Sequence, residues 1–464
     1  MYLKRIHITN FRCFKEYDIE FAPRVTILFG KNGSGKTTLI HAIHKAMSFI
    51  MYSDNVYQNI KIKGKTKKQI VDVRTITNNN PYLHPKSFSR DDYNNQEDKW
   101  MEIAASANFS DQLRDVDWKI NVLANNCKLR TSEFLEAFRK FYSWHQETGE
   151  LPLLAYFSDS FPHKEDNKKS KSVQKIAKLR NFGYFDWDEE EGCTNEWIER
   201  LETKLKHLVQ IYAQTIVDQN LNNHNNRYLQ EHDDAGLKDL KAEISAITNC
   251  FKTFSAGLHV NDNFKIEVAR LWLGKEDNKL CIVTPTGEEY SFRKLPAGYK
   301  RLFNIVLDLA YRSYILSEGK SIDIPGLAII DEIDLHLHPE LEQIVLQLFI
   351  STFPHIQFII STHSPLVLSN FDQDAGTPGQ FRLVKMAKTG YSFLNQDIEN
   401  IYGLDYNSSV THIMDVLPNP KYQDELVQAY QYWAKKDMEK ADKIAALLRQ
   451  KYGTDSPIIL KLGL

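Results

Sequence analysis

Residues 30–37 read Gly-Lys-Asn-Gly-Ser-Gly-Lys-Thr. Glycines at positions 30, 33 and 35 let consecutive backbone N–H groups turn toward one anion. Lys31, Asn32, Ser34 and Thr38 belong to the same cradle. Lys36 supplies a cation for the β- and γ-phosphates, and the Thr37 hydroxyl can ligate magnesium. A helix that starts here aims its positive N-terminal dipole at the same place. The pattern therefore predicts a bound nucleoside triphosphate. A chance glycine turn is the alternative, and the flanking apolar strand and helix speak against it.

Three further segments carry chemistry. Leu327-Ala328-Ile329-Ile330-Asp331-Glu332 is an apolar strand ending in two acids, which places carboxylates at the edge of a sheet where ligands bind. There Asp331 can hold magnesium and Glu332 can polarise the attacking water as a general base. Ile360-Ser361-Thr362-His363 is a second apolar strand, and His363 at its end is either near the γ-phosphate or a capping residue in a turn. Leu295-Pro296-Ala297-Gly298-Tyr299-Lys300 precedes an apolar helix, and by itself reads equally well as a simple helix start.

These residues need a scaffold. A chain of 464 residues predicts roughly two to three domain-sized units. With 42% hydrophobic and 25% charged residues it is an ordinary globular composition, so a mostly disordered chain is excluded. A formal net charge of −2 excludes a general nucleic-acid coat and leaves local patches. No run of about 18 apolar residues is present, so no membrane span is expected. The five cysteines are scattered without a Cys-x-x-Cys pair, which suggests neither a zinc site nor a disulfide frame and points to a reducing cytoplasm.

Along the chain, residues 2–9 and 17–21 alternate like a hairpin, and Val25–Phe29 fits a buried parallel strand. A helix should run from Thr37 to about Ile50. Residues 51–100 read as long polar loops with lysines at 61–68. A second lysine-rich stretch spans 164–180. Such runs are either solvated or able to track phosphates. Residues 101–130 look like antiparallel strands, 131–145 helical, and 151–157 another buried strand. Two helices follow over 195–254, separated by an Asn-rich break. Strands at 326–330 and 357–360 alternate with helices, the pattern of a parallel α/β sheet. Two amphipathic helices, near 421–436 and 438–452, end the chain.

In order and spacing, these motifs resemble an ABC-type ATPase of the SMC/RecF/OLD group. Ile8-Thr9-Asn10-Phe11-Arg12-Cys13-Phe14 resembles that group's opening hairpin, whose arginine, here Arg12, lies near the nucleotide. Asp331 to Pro339 resembles its fused Walker B and D-loop. The resemblance implies an ABC-type P-loop head with a mixed sheet, a helical insertion and a C-terminal helical tail. The head would comprise 1–50 and 255–370, the insertion 51–254, and a docking or packing region 371–464. It further implies ATP and Mg2+, and a homo-oligomer built from head-to-head dimers. Each site would pair one subunit's phosphate loop with the other's Leu295–Tyr299, through the Gly298 amide. Asp334 would lie at that interface, and His363 would be the switch histidine. The usual signature serine is Pro296 here, which has neither hydroxyl nor N–H, so slow hydrolysis is expected. Gln69 is one candidate for the group's Q-loop glutamine.

Ile401-Tyr402-Gly403-Leu404-Asp405, Arg180–Tyr184 and Trp197-Ile198 are similar to PtuA, the ATPase family of the Septu antiphage systems, also found as an effector beside retrons. That likeness implies a separate HNH nuclease partner (PtuB-like), and extends to a retron reverse transcriptase with its msDNA and to a nucleic-acid target. A RecF-like ATPase that binds DNA directly and an OLD-like nuclease are the alternatives.

Overall fold

The computed structural model describes the chain except residues 63–64, 78–82, 84, 86, 96–99, 124–126, 159–178, 188–192, 222–234, 259–265, 373–378, 391, 399–400, 405–408, 410–424 and 455. The lysine-rich stretch 164–180 and the Asn-rich break therefore lie mostly outside the described residues. Two compact units are present, Met1–Gly403 and Leu404–Leu464.

Two large sheets organise the first unit. One is antiparallel, in the order β2 (Phe14–Glu20), β1 (Tyr2–Phe11), β6 (Trp100–Asn108), β7 (Val116–Leu123), β8 (Lys128–Arg130). The other runs β16 (Ser392–Asp397), β15 (Phe381–Thr389), β3 (Val25–Phe29), β14 (Ile356–Thr362), β13 (Gly326–Ile330), β9 (Leu153–Phe157). Its strands are parallel except for β16. β3, β9, β13 and β14 are buried at every position, as continuous apolar runs covered on both faces must be.

Helix α1 (Lys36–Met47) lies between the sheets. Trp118 of β7 donates its indole N–H to the Ala46 carbonyl at 2.8 Å, while the His44 ring meets Tyr156 of β9 at 4.0 Å. The helix α2 (Ser132–Thr148) packs on β7. Helices α3 (Thr194–Leu221), α4 (Ala235–Ala256), α5 (Ala297–Leu316) and α6 (Pro339–Thr352) group together, with α5 also against β9. The short α7 (Pro365–Ser369) follows β14 and packs on α6. A small sheet of β10 (Arg270–Leu273), β11 (Leu280–Val283) and β12 (Glu289–Ser291) precedes α5. Among the described residues no helix is long and apolar enough to cross a membrane.

Two readings of the sequence need correction. Residues 51–100 are not simply loops. β4 (Ser53–Ile62) and β5 (Lys65–Thr75) form an antiparallel ribbon, and β6 begins at Trp100. The expected head boundaries also differ from the architecture. β9 comes from the stretch expected to be insertion, and β15 and β16 come from the stretch expected to be tail, yet all three lie in the parallel sheet. β15 is the immediate neighbour of β3, pairing Val384 with Leu28.

The second unit contains α8 (Glu425–Trp433), α9 (Met438–Tyr452) and α10 (Pro457–Lys461). Val427, Leu448 and Ile459 form its core. Asp437 caps α9 by accepting from the Lys440 amide at 3.3 Å.

Candidate nucleotide site

The glycine loop joins the carboxyl end of β3 to the start of α1. Gly30 has φ 146°, and a Cβ there would lie 2.1 Å from the Met386 carbonyl oxygen of β15, so the neighbouring strand requires glycine. Inside the loop the Ser34 amide donates to the Lys31 carbonyl at 3.1 Å, and the Lys36 ammonium to the Gly30 carbonyl at 2.9 Å. Lys36 is buried, which pulls its ammonium below the ordinary value against Asp331, Glu332 and Asp334, which raise it. No acid occupies the first turn of α1 and no side chain caps it, so its N–H groups and dipole are left for an anion. Ser34 Oγ is buried and has no hydrogen-bond partner among the described residues. Thr37 and Lys31, Asn32 and Gly33 are exposed on the outer side. A buried cation, an unpartnered hydroxyl and free amides are the donor set a triphosphate needs.

β13 delivers the acids. Ser361 Oγ on the adjacent β14 donates to Asp331 and accepts from the Glu332 amide at 2.8 Å. One hydroxyl thus fixes both acids. Glu332 adopts φ 50°, a left-handed conformation costing about 1 kcal/mol for an L residue, which turns its side chain out of the strand path. Asp334 accepts from Thr362 Oγ1 at 2.5 Å and from the His363 amide at 3.2 Å. Burial first, and then Lys36, holds the His363 imidazole below its usual range, opposed by Asp334 and Asp331. The shared electrostatics of Lys36, Asp331, Asp334 and His363 bring the three strand ends into one site.

The Arg12 region flanks this site. Phe14 packs its ring over Gly35, and the Cys13 and Thr38 side chains are hydrogen-bonded. Arg12 itself is tied to buried Asp92 at 2.9 Å, and Lys45 of α1 pairs with the same carboxylate at 3.1 Å. Burial would raise the Asp92 carboxyl, but the Ser89 amide, Lys45 and Arg12 hold it below its usual range. Gln69 lies within the ribbon opposite Gln58 and is exposed.

Gly298, in the first turn of α5, is buried against His336 and Leu337 of its own chain. A Cβ there would sit 2.7 Å from the His336 carbonyl oxygen and 3.3 Å from Leu337. Pro296 caps α5 without any side-chain hydrogen bond.

Several functional positions have no motif to single them out. Ser361 lies inside the strand that ends in Thr362-His363, yet the pattern assigns it no role. Arg301, fully enclosed in α5, donates to the carbonyls of Ser158 at 3.1 Å, Asp331 at 2.8 Å and Glu332 at 3.3 Å. It clamps the ends of β9 and β13. Farther along α5, Asp308 and Arg312 form a buried ion pair, and Trp197 donates its indole N–H to Asp308 at 2.6 Å. Arg312 also donates to the carbonyls of Gly183 and Phe185, both at 2.9 Å. The Arg180–Tyr184 motif is therefore a buckle on α5. An i, i+4 Asp–Arg pair in an apolar helix is the signal that could have found it. Trp197→Phe leaves Asp308 one donor short and should cost about 1–3 kcal/mol. A thermal melt checks this, and an unshifted transition would mean that the indole N–H does not matter to the pair.

A glycine loop, a buried lysine and a strand-end acid pair on a mixed α/β sheet define a P-loop nucleotide-triphosphatase head. The chain belongs to the AAA ATPase domain family, whose model matches residues 1–368. It is similar to the retron Vc95 probable ATPase of Vibrio cholerae serotype O1 biovar El Tor, with 27% identity over 95% of this chain and 85% of that protein. The retron Ec83 probable ATPase of Escherichia coli is 25% identical over 99% of this chain and 85% of its own length. The Septu protein PtuA of Bacillus thuringiensis is 26% identical over 43% of this chain and 51% of that protein.

Proposed function

We propose that this chain is the ATP-binding subunit of an antiphage defence complex, in which heads pair through ATP and govern a separately encoded HNH nuclease. The observation that carries this reading is its likeness, over nearly the whole chain, to two retron ATPases. A retron reverse transcriptase with its msDNA is the expected companion, and nucleic acid the target. Co-purification with the product of the adjacent gene tests the assembly. A neighbour that encodes no nuclease, or one that never associates, would sink it.

Within the head, the loop Gly30–Thr38 holds the phosphates and Lys36 offsets their charge. Thr37 and Asp331 would hold Mg2+, which when bound neutralises phosphate charge. Glu332 takes the proton of the attacking water, and His363 orients the γ-phosphate end as a neutral donor. Arg12 stays near the loop through Asp92 and Lys45. The N-terminus of α5, where Pro296 and Ala297 are exposed, and the Gly298 amide behind them would face a second subunit's phosphates. Light scattering with and without ATP and Mg2+ reports the pairing, and a monomer under both conditions would overturn it.

Turnover is slow in this reading, because Pro296 offers no hydroxyl at the cap of α5. Pro296→Ser restores one, and adds a cap of about 1 kcal/mol to the helix. It should raise ATP turnover roughly three- to tenfold, a change of about 0.7–1.4 kcal/mol in barrier. A phosphate-release assay checks this. An unaltered rate would place the cause of slow turnover elsewhere.

A further inference from the structure

A guanidinium is enclosed inside an apolar helix close to the acids. Arg301 of α5 is 2% exposed and stands beside Leu302, Phe303, Ile305 and Val306, all buried. Burying a charge is unfavourable unless the group is hydrogen-bonded, and an apolar side chain would pack the helix with less penalty. The planar fork of Arg301 is directed instead at main-chain oxygens. Nη1 donates to the Ser158 carbonyl at 3.1 Å, and Nη2 to the carbonyls of Asp331 at 2.8 Å and Glu332 at 3.3 Å.

These three oxygens lie just past the ends of β9 and β13, whose pairing stops at Phe157 and Ile330. A carbonyl there has no ladder partner, and a buried one needs another donor. The need is greatest at Glu332, where the backbone leaves the strand. Extended geometry would carry residues 331 and 332 to opposite faces of the sheet, and φ 50° breaks that alternation. L residues avoid this conformation, so something must hold it. Both peptide groups of Glu332 are held. Its N–H donates to Ser361 Oγ at 2.8 Å, and its C=O accepts from Arg301 and from the Leu335 amide at 3.0 Å. The Ser361 bond comes from the neighbouring strand, and the Arg301 bond from α5. One turn earlier, Gly298 packs against the His336 carbonyl and Leu337, which sets where α5 stands and so where Arg301 reaches.

We infer that Arg301 is a positioning residue for ATP hydrolysis: it holds Glu332 in the left-handed turn from which the carboxylate reaches the attacking water. The inference rests on the proposed role of Glu332 as general base. Arg301 acts through the main chain, so its loss slows hydrolysis and leaves ATP binding in place. A misplacement of about 1 Å at a reacting group can lower a rate about 100-fold.

Phosphate release and equilibrium dialysis with labelled ATP are measured on the full chain for Arg301→Met and Arg301→Lys. Methionine removes every donor. Lysine keeps the charge but not the fork, and serves if the methionine variant does not fold. The expected kcat falls about 10- to 100-fold in Arg301→Met and roughly three- to tenfold in Arg301→Lys, with ATP affinity within about twofold of wild type in both. Trp197→Phe removes a hydrogen bond to Asp308, about two turns farther along α5. It should lower stability and keep the wild-type kcat, which separates positioning from a general loosening of the helix. Added to Glu332→Gln, neither Arg301 change should slow turnover further, because the base it positions is already gone. A wild-type kcat in either folded Arg301 variant would overturn the inference. So would an affinity loss as large as the loss in kcat, or a full further loss on the Glu332→Gln background. Wild-type turnover in Glu332→Gln itself would remove the base and this inference together. Slow turnover in Glu332→Gln beside fast turnover in Arg301→Met would remove this inference alone.

Discussion

Lys36→Met is expected to abolish measurable ATP binding, weakening affinity at least about 100-fold. The ammonium is buried, donates to the Gly30 carbonyl at 2.9 Å, and sits in the field of Asp331, Glu332 and Asp334. A charge-assisted hydrogen bond of this kind is worth about 1.5–3 kcal/mol. Its removal also leaves three acids facing an incoming polyanion without a counter-charge, so the loss exceeds that of the bond alone. Methionine keeps the stem's volume and confines the change to charge. Equilibrium dialysis with labelled ATP measures the effect directly. A melt gives a second view. At 100 times its dissociation constant, ATP stabilises the wild-type head by about 2.7 kcal/mol, and the variant should show none of that increment. Undiminished affinity would mean that the triphosphate binds somewhere other than the glycine loop.

Glu332→Gln should have the opposite signature: ATP bound normally and hydrolysed about 100- to 10,000-fold more slowly, the range for loss of a general base. The substitution is nearly isosteric. The left-handed backbone at 332 and the hydrogen bond its N–H donates to Ser361 Oγ do not depend on the carboxylate, so the local fold should persist. If heads pair through ATP as proposed, the pairs should then last longer, which sedimentation in ATP and Mg2+ would reveal. Combined with Pro296→Ser, the two changes bracket the rate from both sides. Turnover equal to wild type in Glu332→Gln would remove Glu332 from the base role. Loss of ATP binding together with turnover would instead recast it as part of the cradle.

The parts of this head that can be read from sequence are those whose local pattern is also their tertiary role. β3, β13 and β14 are unbroken apolar runs because both their faces are covered, and each ends directly in a residue of the site. The ribbon β4–β5 has no such pattern. It carries polar residues toward both faces, so the alternation that reveals a half-buried strand is missing. β15 is hidden for a different reason. Its buried positions, Leu383, Val384 and Met386, are interspersed with Arg382, Lys385 and Lys388, and β16 beside it is largely exposed. Arg301 shows the limit most clearly. Within α5 it looks like one more charged residue on a helix, and its partner Ser158 lies 143 positions away. No local signal announces a clamp whose two halves meet only when α5 packs across the ends of β9 and β13.

The position of β3 carries a consequence for how the molecule is made. Residues 25–29 are synthesised early, but their neighbours in the sheet are β14 and β15, with Val25 pairing to Phe358 on one side and to Phe381 on the other. Pairings of such separation close late and slowly, because loop-closure entropy is spent before the pairing repays it. At the ribosome the glycine loop is translated more than 300 residues before Met386, whose carbonyl closes against Gly30, has left the exit tunnel. A nascent chain therefore carries the full motif yet lacks the wall against which it folds. The nucleotide site therefore matures late, although its glycine loop is among the first segments to be made.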